Sequence, residues 1–104
     1  MTTFDDREHA FEAKFAHDEE LKFKAEARRN KLVGLWAAEL MGKTGANADA
    51  YAKEVIAADF QEAGEEDVYR KLAADLGDRA DEATIRAKMA ETMVEAKRQL
   101  MKEI

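Results

Sequence analysis

Apolar residues recur every three or four positions through most of the chain, the spacing that lines up one face of an α-helix. Glycines interrupt this rhythm at Gly42, Gly64 and Gly77, where helices are expected to stop. Before the first stop, Leu32, Leu35, Trp36 and Leu40 predict an inward face with Trp36 as the largest core residue, and Gly34 predicts a close approach by another helix. The loop Gly42-Lys43-Thr44-Gly45 leads to Asn47, an expected N-cap, with Asp49 favouring the positive helix end. A second helix then carries Ala48, Tyr51, Ala52, Val55, Ile56, Phe60 and Ala63 on one face. Glu65, Glu66 and Asp67 open a short third helix bearing Val68, Tyr69, Leu72, Ala73 and Leu76. Asp81 is the expected N-cap of the last helix, whose stripe is Ile85, Met89, Met93, Ala96 and Leu100; Lys97, Arg98 and Lys102 suit its negative end. Short loops favour antiparallel neighbours, so the pattern predicts an all-α fold, a four-helix bundle over residues 19–104.

The first twenty residues follow a different rule. They are acidic, rich in phenylalanine and poor in aliphatic side chains. On a helical wheel Phe4, Phe11 and Phe15 fall within about 40° of one another, with Leu21 aligned beside Phe11. Arg7 and Lys14 flank this stripe on one side, and Glu8, Glu12 and Glu19 on the other. A narrow aromatic stripe between flanks of opposite charge suits a helix laid in a partner's groove, although the same rings could be bundle core. A helix from Phe4 to Met41 would be about 57 Å long, more than the other helices can cover. Residues 1–18 are therefore expected to project or be partly disordered, gaining their helix on binding. Burying three phenylalanines yields about 5 to 9 kcal/mol gross against an association cost of about 4 to 15 kcal/mol, so further contacts must contribute.

Length and composition narrow the function classes. The 104 residues suit one domain, and 46% hydrophobic with 38% charged residues can close a core beneath a charged surface. Proline is absent, consistent with uninterrupted helices. A net charge of -6 argues against nucleic acid as a partner. The basic run Lys22, Lys24, Arg28, Arg29 and Lys31 around Phe23 is interrupted by Glu26 and reads as a solvated face. The acidic start is unlike a secretory signal, and no stretch is apolar enough to span a membrane, so a cytoplasmic protein without direct membrane insertion is expected.

Candidate chemistry is sparse. Without cysteine there are no thiolate metal sites, and His9 and His17 are too far apart to chelate, so no metal or other cofactor is expected. Gly42-Lys43-Thr44 resembles the end of a P-loop, but Ala37 stands at the first glycine position and a helix precedes it. No nucleophile is paired with a base, so no catalytic residue is assigned and a non-enzyme is expected. Asp59 falls along the apolar face of the second helix, where it needs an edge position or a partner such as Arg28 or Arg29.

Several segments carry a resemblance: Met1-Thr2-Thr3-Phe4-Asp5-Asp6-Arg7-Glu8, Ala10-Phe11-Glu12-Ala13-Lys14-Phe15-Ala16, and Leu32-Val33-Gly34-Leu35-Trp36-Ala37-Ala38-Glu39 with Met41-Gly42. The chain closely resembles the alphaproteobacterial ATP synthase zeta subunit, and the likeness continues through Ala63-Gly64 and from Asp81 onward. The resemblance implies an inhibitor of ATP hydrolysis whose N-terminal segment enters the cleft between the α and β subunits of the F-type catalytic head, near the γ rotor. It further implies a wedge that stops rotation in the hydrolytic direction more effectively than in synthesis. The partner-binding residues are then Phe4, Phe11 and Phe15 as anchors, with Arg7 and Lys14 pairing acidic side chains. The free protein is expected to be a monomer, and the bound one peripheral to the inner-membrane synthase. The alternative is a non-enzymatic helical adaptor that binds another protein through its phenylalanine stripe and leaves ATP hydrolysis unchanged.

Overall fold

The computed structural model describes residues 18–59 and 65–103. They form four α-helices, Glu19–Leu40 (α1), Gly45–Ala58 (α2), Glu66–Leu76 (α3) and Glu82–Glu103 (α4), with one 3₁₀ turn at Gly77–Arg79. No strand occurs among the described residues. The all-α, four-helix reading is thus correct.

Helix α1 is the spine, packed along α2 on one side and along α4 on another, while the shorter α3 touches all three. The main core joins Val33, Ala37 and Ala38 of α1 to Tyr51 and Val55 of α2, Val68, Leu72 and Leu76 of α3, and Ile85 and Met89 of α4. A smaller cluster of Leu21, Ala25 and Leu100 closes the end where α1 begins and α4 finishes. Helices α1 and α4 therefore run antiparallel, as short connections require.

The predicted α1 face needs correction. Its buried positions are Leu21, Ala25, Arg29, Asn30, Val33, Gly34, Ala37 and Ala38, whereas Leu40 is exposed and Trp36 only partly buried. A helix squeezed between two neighbours needs small residues inward. Gly34 shows why: a Cβ built there would lie 2.9 Å from the Ala52 Cα. The close approach predicted from Gly34 is real, and the same approach moves the bulky indole to the rim.

Helix ends follow their local chemistry. Asp18 caps α1, its carboxylate accepting from the Leu21 amide at 3.1 Å. At the other end the Lys43 amide donates to Ala38 O and the Gly42 amide to Glu39 O, with Gly42 at φ +76°. This paired arrangement satisfies carbonyls that the helix leaves open. The P-loop-like tripeptide is thus a helix stop. Helix α2 starts two residues before Asn47, with Thr44 as its cap, because the Asn47 and Ala48 amides already donate to Thr44 O. Its apolar face is otherwise as expected over Tyr51, Ala52 and Val55, with Phe60 and Ala63 outside the described residues. Helix α3 ends at Leu76 before Gly77, and Asp81 caps α4 by accepting from the Thr84 amide at 2.8 Å. The α4 stripe is buried at Ile85, Met89, Ala96 and Leu100, joined by the unexpected Thr92, whose hydroxyl donates to Lys88 O at 2.7 Å; Met93 is partly buried.

Candidate functional site

The five residues singled out for partner binding, Phe4, Arg7, Phe11, Lys14 and Phe15, lie outside the described residues, as do His9 and His17. What the structure defines is the platform from which that segment departs. Asp18 has extended backbone and its side chain closes the first turn of α1. Three residues later Leu21 is buried against Ala25 and Leu100, with Met93 and Met101 packed around them. Leu21 therefore belongs to the bundle instead of extending the phenylalanine stripe. Arg28 adds a polar clamp: it donates to Gln99 Oε1 at 2.8 Å and pairs with Glu103 at 2.9 Å, fastening α1 to the last turn of α4. The leading segment is thus attached to a fixed base.

A second set of contacts ties α1 to the end of α2 and the start of α3. Arg29, only 2% exposed, donates through Nε to Asn30 Oδ1 at 2.6 Å and reaches Glu65 at 3.3 Å. Asn30, also buried, donates to Asp59 Oδ2 at 2.9 Å. Asp59 caps α2 in a half-buried position, and its partner is Asn30, with Arg29 one hydrogen bond further on. The sequence reading had Asp59 in the middle of an apolar face because it extended α2 past Ala58. Arg29 and Asn30 were missed as core residues. Their signal is faint: both sit one turn before Val33 and Gly34, on the arc that the small residues of α1 define. Every buried side-chain nitrogen and oxygen among the described residues has a partner. The basic run also disperses, with Lys24 on Glu20, Arg28 on Glu103 and Arg29 on Glu65.

On the α3 side, burial and then the hydrogen bond to Asp75 push the Tyr51 hydroxyl upward from its ordinary pKa. Lys71 lies 5.2 Å from the Tyr51 ring centroid and pairs with Asp75 and Glu54. Arg86 lies 4.0 Å from the Tyr69 ring centroid while pairing with Glu66 and Glu82. These cationic groups are held by carboxylates and rings of their own chain. Such networks organise α3, and no group of three or more metal-binding side chains is assembled among the described residues.

The outward junction of α1 and α4 is different in kind. Leu32, Trp36, Thr92 and Val94 line an open hollow of about 520 Å³, rimmed by Lys88, Glu91 and Glu95. Val94 is 69% exposed, and the Lys88 ammonium stands 5.8 Å from the Trp36 ring centroid. An aliphatic side chain this bare, beside a half-covered indole, is surface suited to an apolar partner.

Both features fit a protein that acts by contact. The family model for ATPase inhibitor subunit zeta matches residues 1–99. The chain belongs to that family. The resemblance seen in the sequence is therefore correct, and the zeta family's role, inhibition of the ATPase of the ATP synthase, is the role of this chain. The match includes the leading segment as well as most of the bundle. Among solved structures, one determined by solution NMR is similar, with 58% sequence identity and a TM-score of 0.76 over 81% of this chain and 99% of that chain. A comparison with curated proteins finds no match. No helix among the described residues is long and apolar enough to cross a membrane.

Proposed function

We propose that residues 1–18 are the inhibitory element and that residues 19–104 are the carrier that presents it. The segment inserts between the α and β subunits of the F-type catalytic head, near γ, and obstructs rotation in the hydrolytic direction. Phe4, Phe11 and Phe15 anchor it, while Arg7 and Lys14 pair with acidic side chains of the head. The protein performs no chemistry of its own and takes no cofactor. It acts in the cytoplasm as a monomer until it joins the membrane-bound synthase at its periphery.

The observation that carries this reading is the junction at Asp18. Helix α1 has its own cap there, and its first inward residue, Leu21, is engaged by Leu100. The start of α1 is accordingly satisfied by groups from Asp18 onward, so the bundle's first helix does not depend on the phenylalanine stripe for its cap. The stripe belongs to a family match that begins at residue 1.

The test is ATP hydrolysis by a cognate catalytic head titrated with the full chain and with a chain lacking residues 1–18. The full chain should suppress hydrolysis at near-stoichiometric amounts, and the truncated one should fold with its helices intact yet leave the rate unchanged. Full inhibition by the truncated chain would refute the assignment.

A further inference from the structure

The hollow between α1 and α4 has no role in the inhibitory reading. Its floor is apolar, its most exposed apolar lining residue is Val94, and its rim carries Lys88, Glu91 and Glu95. The rim charges are already paired within the chain, Lys88 with Glu91 and Glu95 with Arg98, so the hollow selects for apolar contact. An occupant should therefore offer an aromatic or aliphatic side chain.

The chain's own leading segment has that chemistry. Phe4 is an aromatic side chain of that kind. Distance permits the contact: Phe4 and Leu32 are equally far from Asp18 along the sequence, and the helical path from Asp18 to Leu32 is about 21 Å. A segment returning from Asp18 antiparallel to α1 brings the Phe4 ring level with Leu32, and any less helical path has length to spare. Tethering gives this occupant a local concentration that no free partner matches.

We propose that the hollow lined by Leu32, Trp36 and Val94 is a parking site for Phe4, which reversibly holds the inhibitory segment on its own bundle in the free protein. This regulation rests on the reading of residues 1–18 as the inhibitory element. A parked segment cannot enter the head, so apparent potency is lowered by the fraction of molecules parked.

Trp36 is the only tryptophan and lines the hollow, so its fluorescence reports occupancy. Acrylamide quenching of Trp36 is compared in the full chain, Phe4→Ala and Val94→Glu, with helicity of each checked by circular dichroism. Phe4→Ala does not touch the hollow when the segment is away, so increased quenching in that variant reads the loss of the parked ring. Equal quenching in Phe4→Ala and the native chain overturns the proposal. Val94→Glu keeps the inhibitory segment whole and should inhibit ATP hydrolysis at concentrations about two- to fivefold lower than the native chain. Weaker inhibition by Val94→Glu would instead make the hollow a contact with the head, and overturns parking. If Phe4→Ala raises quenching and inhibits at lower concentrations as Val94→Glu does, parking stands and the anchoring role of Phe4 fails, which separates the two ideas.

Discussion

At the scale of single residues, the bundle is governed by positions where one atom decides. Gly34 is the clearest. Alanine is the better helix former by about 1 kcal/mol, yet its Cβ would meet Ala52 Cα at 2.9 Å, with Val55 Cγ2 at 3.3 Å. Backbone cannot swing aside as a flexible side chain can, so α1 and α2 must separate and loosen the packing around them. Gly34→Ala is expected to destabilise the protein by about 1–2 kcal/mol net in urea unfolding, despite its higher helix propensity. A variant at least as stable as the native chain would show that the helices yield freely there.

Asp81 offers a pH-dependent counterpart. Its bonds to Thr84, side chain first and backbone next, lower its folded-state pKa. Because the folded value lies below the unfolded one, the cap contributes fully above the unfolded carboxylate range and is lost as pH falls through the folded pKa. Asp81→Ala should therefore melt at a lower temperature than the native chain at pH 7. The gap should shrink as pH falls below the ordinary carboxylate range and the Asp81 carboxylate takes up its proton. A gap that stays constant over this range would mean that the carboxylate is not what holds the first turn of α4.

At the scale of elements, periodicity found the four helices, and the cap chemistry of Asp81 and the stops at Gly42 and Gly77 fixed several of their ends. It misjudged which way α1 faces. Size suggested Trp36 and Leu40 as core, but a spine between two helices selects small residues, so Val33, Ala37 and Ala38 point inward and the indole lies at the rim. The polar core of Arg29 and Asn30 was not legible, because a charged and an amide side chain are read as surface until their partners at Asp59 and Glu65 are known. The hollow at Val94 was invisible for a related reason: it arises from two helices far apart in sequence. The phenylalanine stripe of the leading segment was legible as a pattern, while its proposed target came from the family resemblance. The α1–α4 junction makes a prediction of its own. Leu100 is 5% exposed and joins Leu21 and Ala25 at the base of the segment. Leu100→Ala should cost about 2–3 kcal/mol, with amide exchange at the start of α1 accelerating more than in α3. Uniform acceleration across the bundle would show that the base does not open as a local unit.

At the scale of the whole molecule, the question is why the proposed inhibitory segment should carry a bundle several times its length. The three phenylalanines supply about 5 to 9 kcal/mol gross, which the cost of association can consume. A free peptide also begins with little helix, since so short a stretch nucleates poorly in water. Attached to α1, the segment starts from a fixed end: Asp18 sits on a helix fastened by Leu100 and by Arg28 to Gln99 and Glu103. That restricts the directions from which the segment can enter a cleft, and it leaves the bundle surface available for contacts near the cleft mouth. A synthetic peptide of residues 1–18 should consequently inhibit hydrolysis only at concentrations at least about tenfold above those of the full chain, a difference of about 1.4 kcal/mol. Parking works in the opposite sense, because the peptide has no hollow to occupy, so Val94→Glu is the proper reference for the bundle's contribution. If the peptide equals Val94→Glu in potency, the bundle neither guides the segment nor touches the head, and its part in inhibition reduces to storage.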